Sequence, residues 1–353
     1  MSKRMIRHIL DKGINCLAII GMAKNSGKTV AFNTIVREGT TYGLKLALVS
    51  YGRDGEDIDS LTLKKKPRIK VSTGNIFVTA ERVFRAANVE AKLISTTDFH
   101  TPFGKINIYR ARGKGNVELI GVNTINQLQR VKEQLPADIG LVIIDGALDR
   151  RSSAIPELAG GIVLSTGAVI ANTEEKIVEK TIHEIRRVSI PGVYESAIRD
   201  MLKKPDQQGR NAVITSQGKV FSLKSSTSFS VNKLSGQLSS ISNKINVLFL
   251  KGALVNSFAE ELINRLGLNN CRIIVRNGTR IFLDKSVFNL LEKYNVRLRV
   301  LNEIKVIGIT VNPVSPYGLK VDSSKLINKL RKRIDNIPIY DLMSDEYLSL
   351  PAR

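Results

Sequence analysis

Cys16-Leu-Ala-Ile-Ile-Gly21-Met-Ala-Lys-Asn-Ser-Gly27-Lys28-Thr29 is the stretch that decides the fold. Its first six residues form an apolar run ending in glycine, the pattern of a strand buried on both faces. Residues 29–38 carry a helical pattern that Gly39 stops. Residues 44–50 read as the next strand, which completes a βαβ unit long enough for parallel pairing. The expected architecture is α/β, a doubly wound and mainly parallel sheet with a β-rich excursion and a C-terminal α/β portion.

A loop between a buried strand and a helix is where backbone amides and a lysine cradle phosphate, so the sequence predicts a P-loop NTPase. The nucleotide contacts expected are Gly21, Lys24, Asn25, Ser26, Gly27, Lys28 and Thr29. Gly27 lets the backbone approach phosphate, Lys28 brings positive charge to the β- and γ-phosphates, and the Thr29 hydroxyl is a ligand for Mg²⁺. The spacing departs from the strict pattern, because Met22 stands six before Lys28 and the glycine lies one residue earlier.

Residues 141–144 are a second apolar run, and it delivers Asp145 at its C-terminal end, where open parallel sheets bind ligands. Asp145 is expected to hold Mg²⁺ directly or through water, and with Lys28 it forms the catalytic pair. The turn Gly52-Arg-Asp-Gly-Glu56-Asp57 follows the second strand at the same edge. Asp54 is either a third catalytic residue, positioning water or a Mg²⁺-bound ligand, or part of a solvated turn. Arg53 there is within reach of a phosphate. Asn312, in Ile309-Thr-Val-Asn312-Pro-Val-Ser-Pro316, is either a reader of the adenine edge or a turn residue. The guanine-reading N-K-x-D pattern is missing, so ATP is expected over GTP.

The rest of the chain divides by composition. Alternating patterns at 68–71, 76–80, 105–110 and 117–122 form the β-rich excursion, interrupted by a helix at 81–88. Helices at 126–135 and 173–188, the second capped by Asn172 with Glu175, and strands at 141–144 and 161–170 continue the parallel pattern. The domains expected are 1–200, the core with its insertion; 201–244, a Ser/Lys-rich insertion or linker with a hairpin at 211–222; and 245–353, a C-terminal α/β portion that is a candidate to complete the nucleotide site. In that last part, strands are expected at 245–250, 272–275, 296–300 and 305–311, with helices at 257–266 and 285–294.

The 353 residues carry a net charge of +22, 42% hydrophobic residues and 24% charged ones. This is a globular composition that rules out disorder as the default. The basic residues are scattered, at 64–66, 110–114, 203–204 and 329–333, with no aromatic stacking stripe. That distribution fits a solvated surface better than a nucleic-acid site, and it suggests an acidic partner as readily as DNA or RNA. Cys16 and Cys271 lie far apart and outside any metal-ligand spacing, and His8, His100 and His183 form no metal or triad pattern. The charged N-terminus lacks an apolar leader and no later run is long enough for a membrane helix, so a cytoplasmic location is expected.

Beyond the loop, the chain resembles the lysine 5,6-aminomutase reactivase subunit family. The resemblance rests on GMAKNSGKT, SYGRDGED, KKPRIKVSTGNIFVTA, TPFGKINIYRARGKGNVELIGV, IDGALDRRSSA, LSTGAV and TVNPVSPYG. The displaced glycine is similar to that of dethiobiotin synthetase and of the molybdenum-cofactor adaptor GTPases. The resemblance implies a Mg²⁺-dependent ATPase that acts with a MutS-like ATPase on an aminomutase using adenosylcobalamin and pyridoxal phosphate. Its partners would be the aminomutase subunits and that ATPase. No D-x-H-x-x-G sequence occurs, so the chain is not expected to hold cobalamin itself. Two other function classes compete: a small-molecule ATP enzyme like dethiobiotin synthetase, and a nucleic-acid-associated ATPase.

Overall fold

The computed structural model describes residues 4–51, 68–147, 158–223, 236–238, 241 and 245–344. In chain order the first elements are α1 (Met5–Asp11), β1 (Cys16–Gly21), α2 (Lys28–Thr41), β2 (Leu46–Ser50), β3 (Ile69–Val71), β4 (Ile76–Ala80), α3 (Glu81–Arg85), β5 (Ala91–Thr101), β6 (Gly104–Ala111), β7 (Gly115–Val117), α4 (Ile125–Glu133), β8 (Leu141–Ala147) and β9 (Gly161–Gly167). Then follow α5 (Glu174–Val188), α6 (Ser196–Gln207), β10 (Ala212–Thr215), β11 (Val220–Ser222), β12 (Ile245–Leu250), β13 (Leu254–Val255), α7 (Asn256–Asn264), β14 (Arg272–Val275), β15 (Ile281–Phe282), α8 (Lys285–Lys293), β16 (Arg297–Val300), β17 (Val306–Asn312), α9 (Ser323–Arg331) and β18 (Ile339–Asp341).

Two compact units divide the chain, Met1–Ile182 with Lys305–Arg353, and His183–Ile304. The first is built on a nine-stranded sheet of order β18-β17-β9-β1-β8-β2-β4-β6-β5. Every pairing from β18 to β4 is parallel, and β6 and β5 close that edge antiparallel. All six residues of β1 are buried, between its neighbours β8 and β9 and with α2 packed against it. Fully burying a side chain such as Ile19 contributes about 1.5–3 kcal/mol, so this central strand anchors the core. Phe32 and Ile35 of α2 pack there against Leu46, Leu48 and Ile143. Glu38 on the same helix accepts a 2.9 Å bond from the Ile6 amide and ties α1 to the core.

The excursion differs from the sequence pattern in two places. The expected strand at 117–122 ladders at Val117, the end of β7 (Gly115–Val117) against β3, and touches again in an isolated parallel bridge from Val122 to Tyr51. Beyond β7 Thr79 Oγ1 donates to the Glu118 carbonyl at 2.7 Å and accepts from the Ile120 amide at 3.2 Å. Gly121 then passes so close to β2 that a Cβ there would lie 1.5 Å from the Ser50 oxygen. The long strand β5 has no clean alternation, because it is the outermost strand and its register with β6 shifts twice.

The second unit holds a five-stranded sheet of order β11-β10-β12-β14-β16. Strands β12, β14 and β16 are parallel, and β10 is antiparallel to both β11 and β12. The expected cuts at 200/201 and 244/245 lie inside this unit. Residues 211–222 do form a hairpin, but β10 pairs with β12, Ala212 opposite Phe249, which builds that hairpin into the sheet. Residues 245–304 belong here, while β17 and β18 return to the first sheet beside β9. Among the described residues no helix is long and apolar enough to cross a membrane.

Candidate functional site

The C-terminal ends of β1, β8 and β9 lie side by side in the first unit. Gly21 stands opposite Ala147 on β8 and opposite Ser165 on β9. The chain reverses its winding around β1, so this edge is a topological switch point, the place where open sheets accept ligands.

The loop leaving β1 is shaped by backbone positions that few side chains tolerate. Asn25 has φ +65° and Gly27, the N-cap of α2, has φ +95°. A Cβ on Gly27 would sit 3.0 Å from that of Asn312, and one on Gly21 would sit 2.6 Å from Ser26 Oγ. The loop is pinned at both ends. The Met22 amide donates to the Ser165 carbonyl at 2.9 Å, and Asn312 Nδ2 donates to the Asn25 carbonyl at 3.0 Å. Ser26 is buried, and its Oγ, like Asn25 Nδ2, has no hydrogen-bond partner among the described residues. A buried polar atom left without a partner costs about 1–3 kcal/mol, so a ligand supplying partners would be stabilised there.

Lys28 opens α2, and its Nζ donates to the Gly146 carbonyl at 2.9 Å while standing 3.2 Å from Asp145 Oδ1. Both side chains are 22% exposed. The sequence-predicted Lys28 and Asp145 are therefore together, one from the start of the helix that follows β1 and one from the C-terminal part of the neighbouring strand β8. Thr29 and Lys24 are partly exposed in the same loop and helix start. Arg53 and Asp54 lie outside the described residues.

Asn312, at the end of β17, is also brought to the loop. Its amide nitrogen bonds Asn25, and its Oδ1 accepts from the Val314 amide at 3.2 Å. The geometry thus gives Asn312 a bracing role between the loop and the turn that follows β17. Beside it lies a shallow recess bordered by Ser26, Gly27, Val30, Asn312 and Met343.

Sequence reasoning missed the polar rung behind the loop. Thr310 Oγ1 donates to Ser165 Oγ at 2.8 Å, and Thr166 and Thr181 hydroxyls meet at 2.7 Å. These four hydroxyl residues are all buried. The signal available was the polar Ser-Thr pair ending the apolar β9, which is unusual in a strand buried on both faces. His100 Nδ1 lies 3.2 Å from the Asp98 carbonyl, and His183 Nε2 lies 2.9 Å from the Leu283 carbonyl.

Chemically, the arrangement suits a polyphosphate with a divalent cation. The start of a 14-residue helix points amides and a partial positive charge at the loop. Thr29 and Asp145 are the residues available to a cation; among the described residues no cluster of three or more His, Cys, Asp or Glu exists to hold a metal by protein ligands alone. Comparison with protein-family models, with curated proteins and with solved structures gives no match.

Proposed function

We propose that the chain is a Mg²⁺-dependent ATPase whose nucleotide phosphates occupy the loop 21–29, and that it works as the reactivating factor of an adenosylcobalamin-dependent aminomutase. The observation that carries the ATPase reading is the meeting of Lys28 and Asp145 at 3.2 Å, beneath a loop whose Gly27 adopts φ +95°. The client reading rests on the sequence resemblance in segments beyond the loop. Its work would lie in the cytoplasm, in keeping with two buried free cysteines.

In this reading the loop amides and Ser26 hold phosphate oxygens, and Lys28 exchanges its bond to Gly146 for the transferring phosphate. An ion pair this accessible is worth about 1 kcal/mol or less, so the exchange is readily offset by a charge-assisted phosphate contact. Asp145 and Thr29 would hold Mg²⁺, which supplies charge neutralisation of the phosphates when bound. Asn312 keeps the loop in register with the turn after β17. Binding and hydrolysis would then bias the protein between states that differ in affinity for the client.

The experiment is recovery of turnover by an inactivated aminomutase supplied with fresh adenosylcobalamin and a MutS-like ATPase. Recovery is expected with ATP and Mg²⁺ and not with a non-hydrolysable analogue. Equal recovery without this protein would reject the client and leave the small-molecule ATP enzyme as the leading reading.

A further inference from the structure

The second unit carries a charged cluster that the nucleotide site does not use. Strands β12, β14 and β16 run parallel, so their C-terminal ends share one edge. Lys251 follows β12 directly and Arg276 follows β14 directly. Leu301 follows β16, and Arg199 Nη1 donates to its carbonyl at 2.8 Å. Three cations from three elements therefore stand along the edge at which open α/β sheets take ligands.

One carboxylate lies among them. Asp206, in the last turn of α6, accepts from Arg276 through both oxygens, Nε to Oδ1 at 2.9 Å and Nη2 to Oδ2 at 3.1 Å. Lys251 Nζ reaches the same Oδ1 at 3.3 Å and the Asp206 carbonyl at 3.1 Å. Burial pulls the carboxyl's pKa upward, but the Arg276 bonds and the charges of Arg276 and Lys251 outweigh it and hold the group below its usual value. Asp206 is thus an ionised internal anion. The frame around it is fixed: the Lys251 amide donates to Asn211 Oδ1 at 2.9 Å, and the Asn302 amide to the Arg276 carbonyl at 2.8 Å. Glu303, farther along, is engaged by the Tyr194 hydroxyl at 3.0 Å.

Lys251, Arg276 and Asp206 keep 26%, 27% and 19% of their side-chain surface exposed, so solutes reach all three. An arginine fork satisfies one carboxylate alone, as it does Asp206, and the additional lysine suits a group with more negative charge. We propose that this edge binds a phosphate-bearing small molecule, with Arg276 and Lys251 transferring from Asp206 to the phosphate oxygens. Asp206 then serves as the placeholder that keeps two cations ordered while the site is free of ligand. These residues belong to the second unit, and the loop 21–29 to the first.

Inorganic pyrophosphate is the probe, titrated calorimetrically into the full chain carrying Lys28→Ala to weaken the first site. Saturable binding at this second site is expected, weakened about tenfold by Lys251→Gln or Arg276→Gln, since a charged hydrogen bond is lost. Asp206→Asn is expected to tighten it about fivefold, because the internal competitor loses its charge. An ion triad of purely structural value gives the reverse, a lower melting temperature in Asp206→Asn with no gain in affinity. Melting curves accompany each variant, and Lys251→Gln carries the test where Arg276→Gln fails to fold. The proposal is overturned by absence of saturation up to about 10 mM pyrophosphate, far weaker than useful recognition, by unchanged affinity in the glutamine variants, or by no tightening in Asp206→Asn.

Discussion

Lys28 Nζ stands 3.2 Å from Asp145 Oδ1 and donates to the neighbouring Gly146 carbonyl at 2.9 Å, joining the start of α2 to the end of β8 across 118 residues of chain. Two readings made separately, a phosphate-loop lysine and a strand-ending carboxylate, thus become one site. In the proposed nucleotide site, Lys28 would leave these protein acceptors for a phosphate.

Asp145→Asn removes the carboxylate proposed to hold Mg²⁺ and leaves the loop amides in place. Nucleotide binding is expected to change by no more than about threefold, while Mg²⁺-dependent hydrolysis falls at least about tenfold. Fluorescent-nucleotide titration and phosphate release measure the two separately. Unaltered metal dependence in the variant would remove Asp145 from the metal site.

Asn312→Ala takes the donor from the Asn25 carbonyl and the acceptor from the Val314 amide. Each lost partner costs about 1–3 kcal/mol where the group is buried, so the loop loosens. ATP and inorganic triphosphate are expected to weaken in equal ratio. Weakening of ATP alone would instead assign Asn312 to the adenine edge, the role its sequence position suggested.

Gly27→Ala forces a Cβ onto a residue at φ +95°, 3.0 Å from the Asn312 Cβ. The backbone term alone costs about 1–2 kcal/mol, which predicts a lower melting temperature together with loss of nucleotide protection in calorimetry. A variant that melts and binds like the parent would mean that the loop relaxes freely.

Burial pushes the Cys271 thiol from 9.0 up to about 12, and Tyr340 reaches about 12 through burial and the nearby Glu38. Both groups are neutral when protonated, and both have folded pKa values above their unfolded ones. Their contribution is fully present below about pH 9 and is lost between pH 9 and 12, as the unfolded chain ionises first. Three pH units on one thiol correspond to as much as about 4 kcal/mol. Denaturant titrations across that window are expected to show falling stability, and a smaller fall in Cys271→Ala. Identical slopes in parent and variant would contradict the burial argument.

The parts of this molecule visible in the sequence are those whose environment repeats a simple pattern. β1 and residues 141–144 of β8 are buried and read as unbroken apolar runs, and β12 does so from Val247 to Leu250, after the exposed Asn246. The loop 21–29 stood out because Gly27, Lys28 and Thr29 follow a buried strand at a fixed spacing. Strand β5 was not, since Leu93 and Ile94 are exposed at the sheet edge and two register shifts erase the alternation. The division into units was hidden for a different reason. It falls within α5, a continuous helix without a glycine or proline to mark it, and β17 rejoins the first sheet only by pairing with β9 far earlier in the chain. Long-range pairing leaves no local signal, and the same holds for the hydroxyl rung of Ser165 and Thr310.

The most direct test of the account is steady-state Mg²⁺-ATP hydrolysis by the purified chain beside its Lys28→Ala variant. Removing a charge aimed at the transferring phosphate typically costs several kcal/mol, so a loss of at least about tenfold is predicted with the fold intact by circular dichroism. Equal turnover in parent and variant, or none in the parent with ATP under any Mg²⁺ concentration, would contradict it.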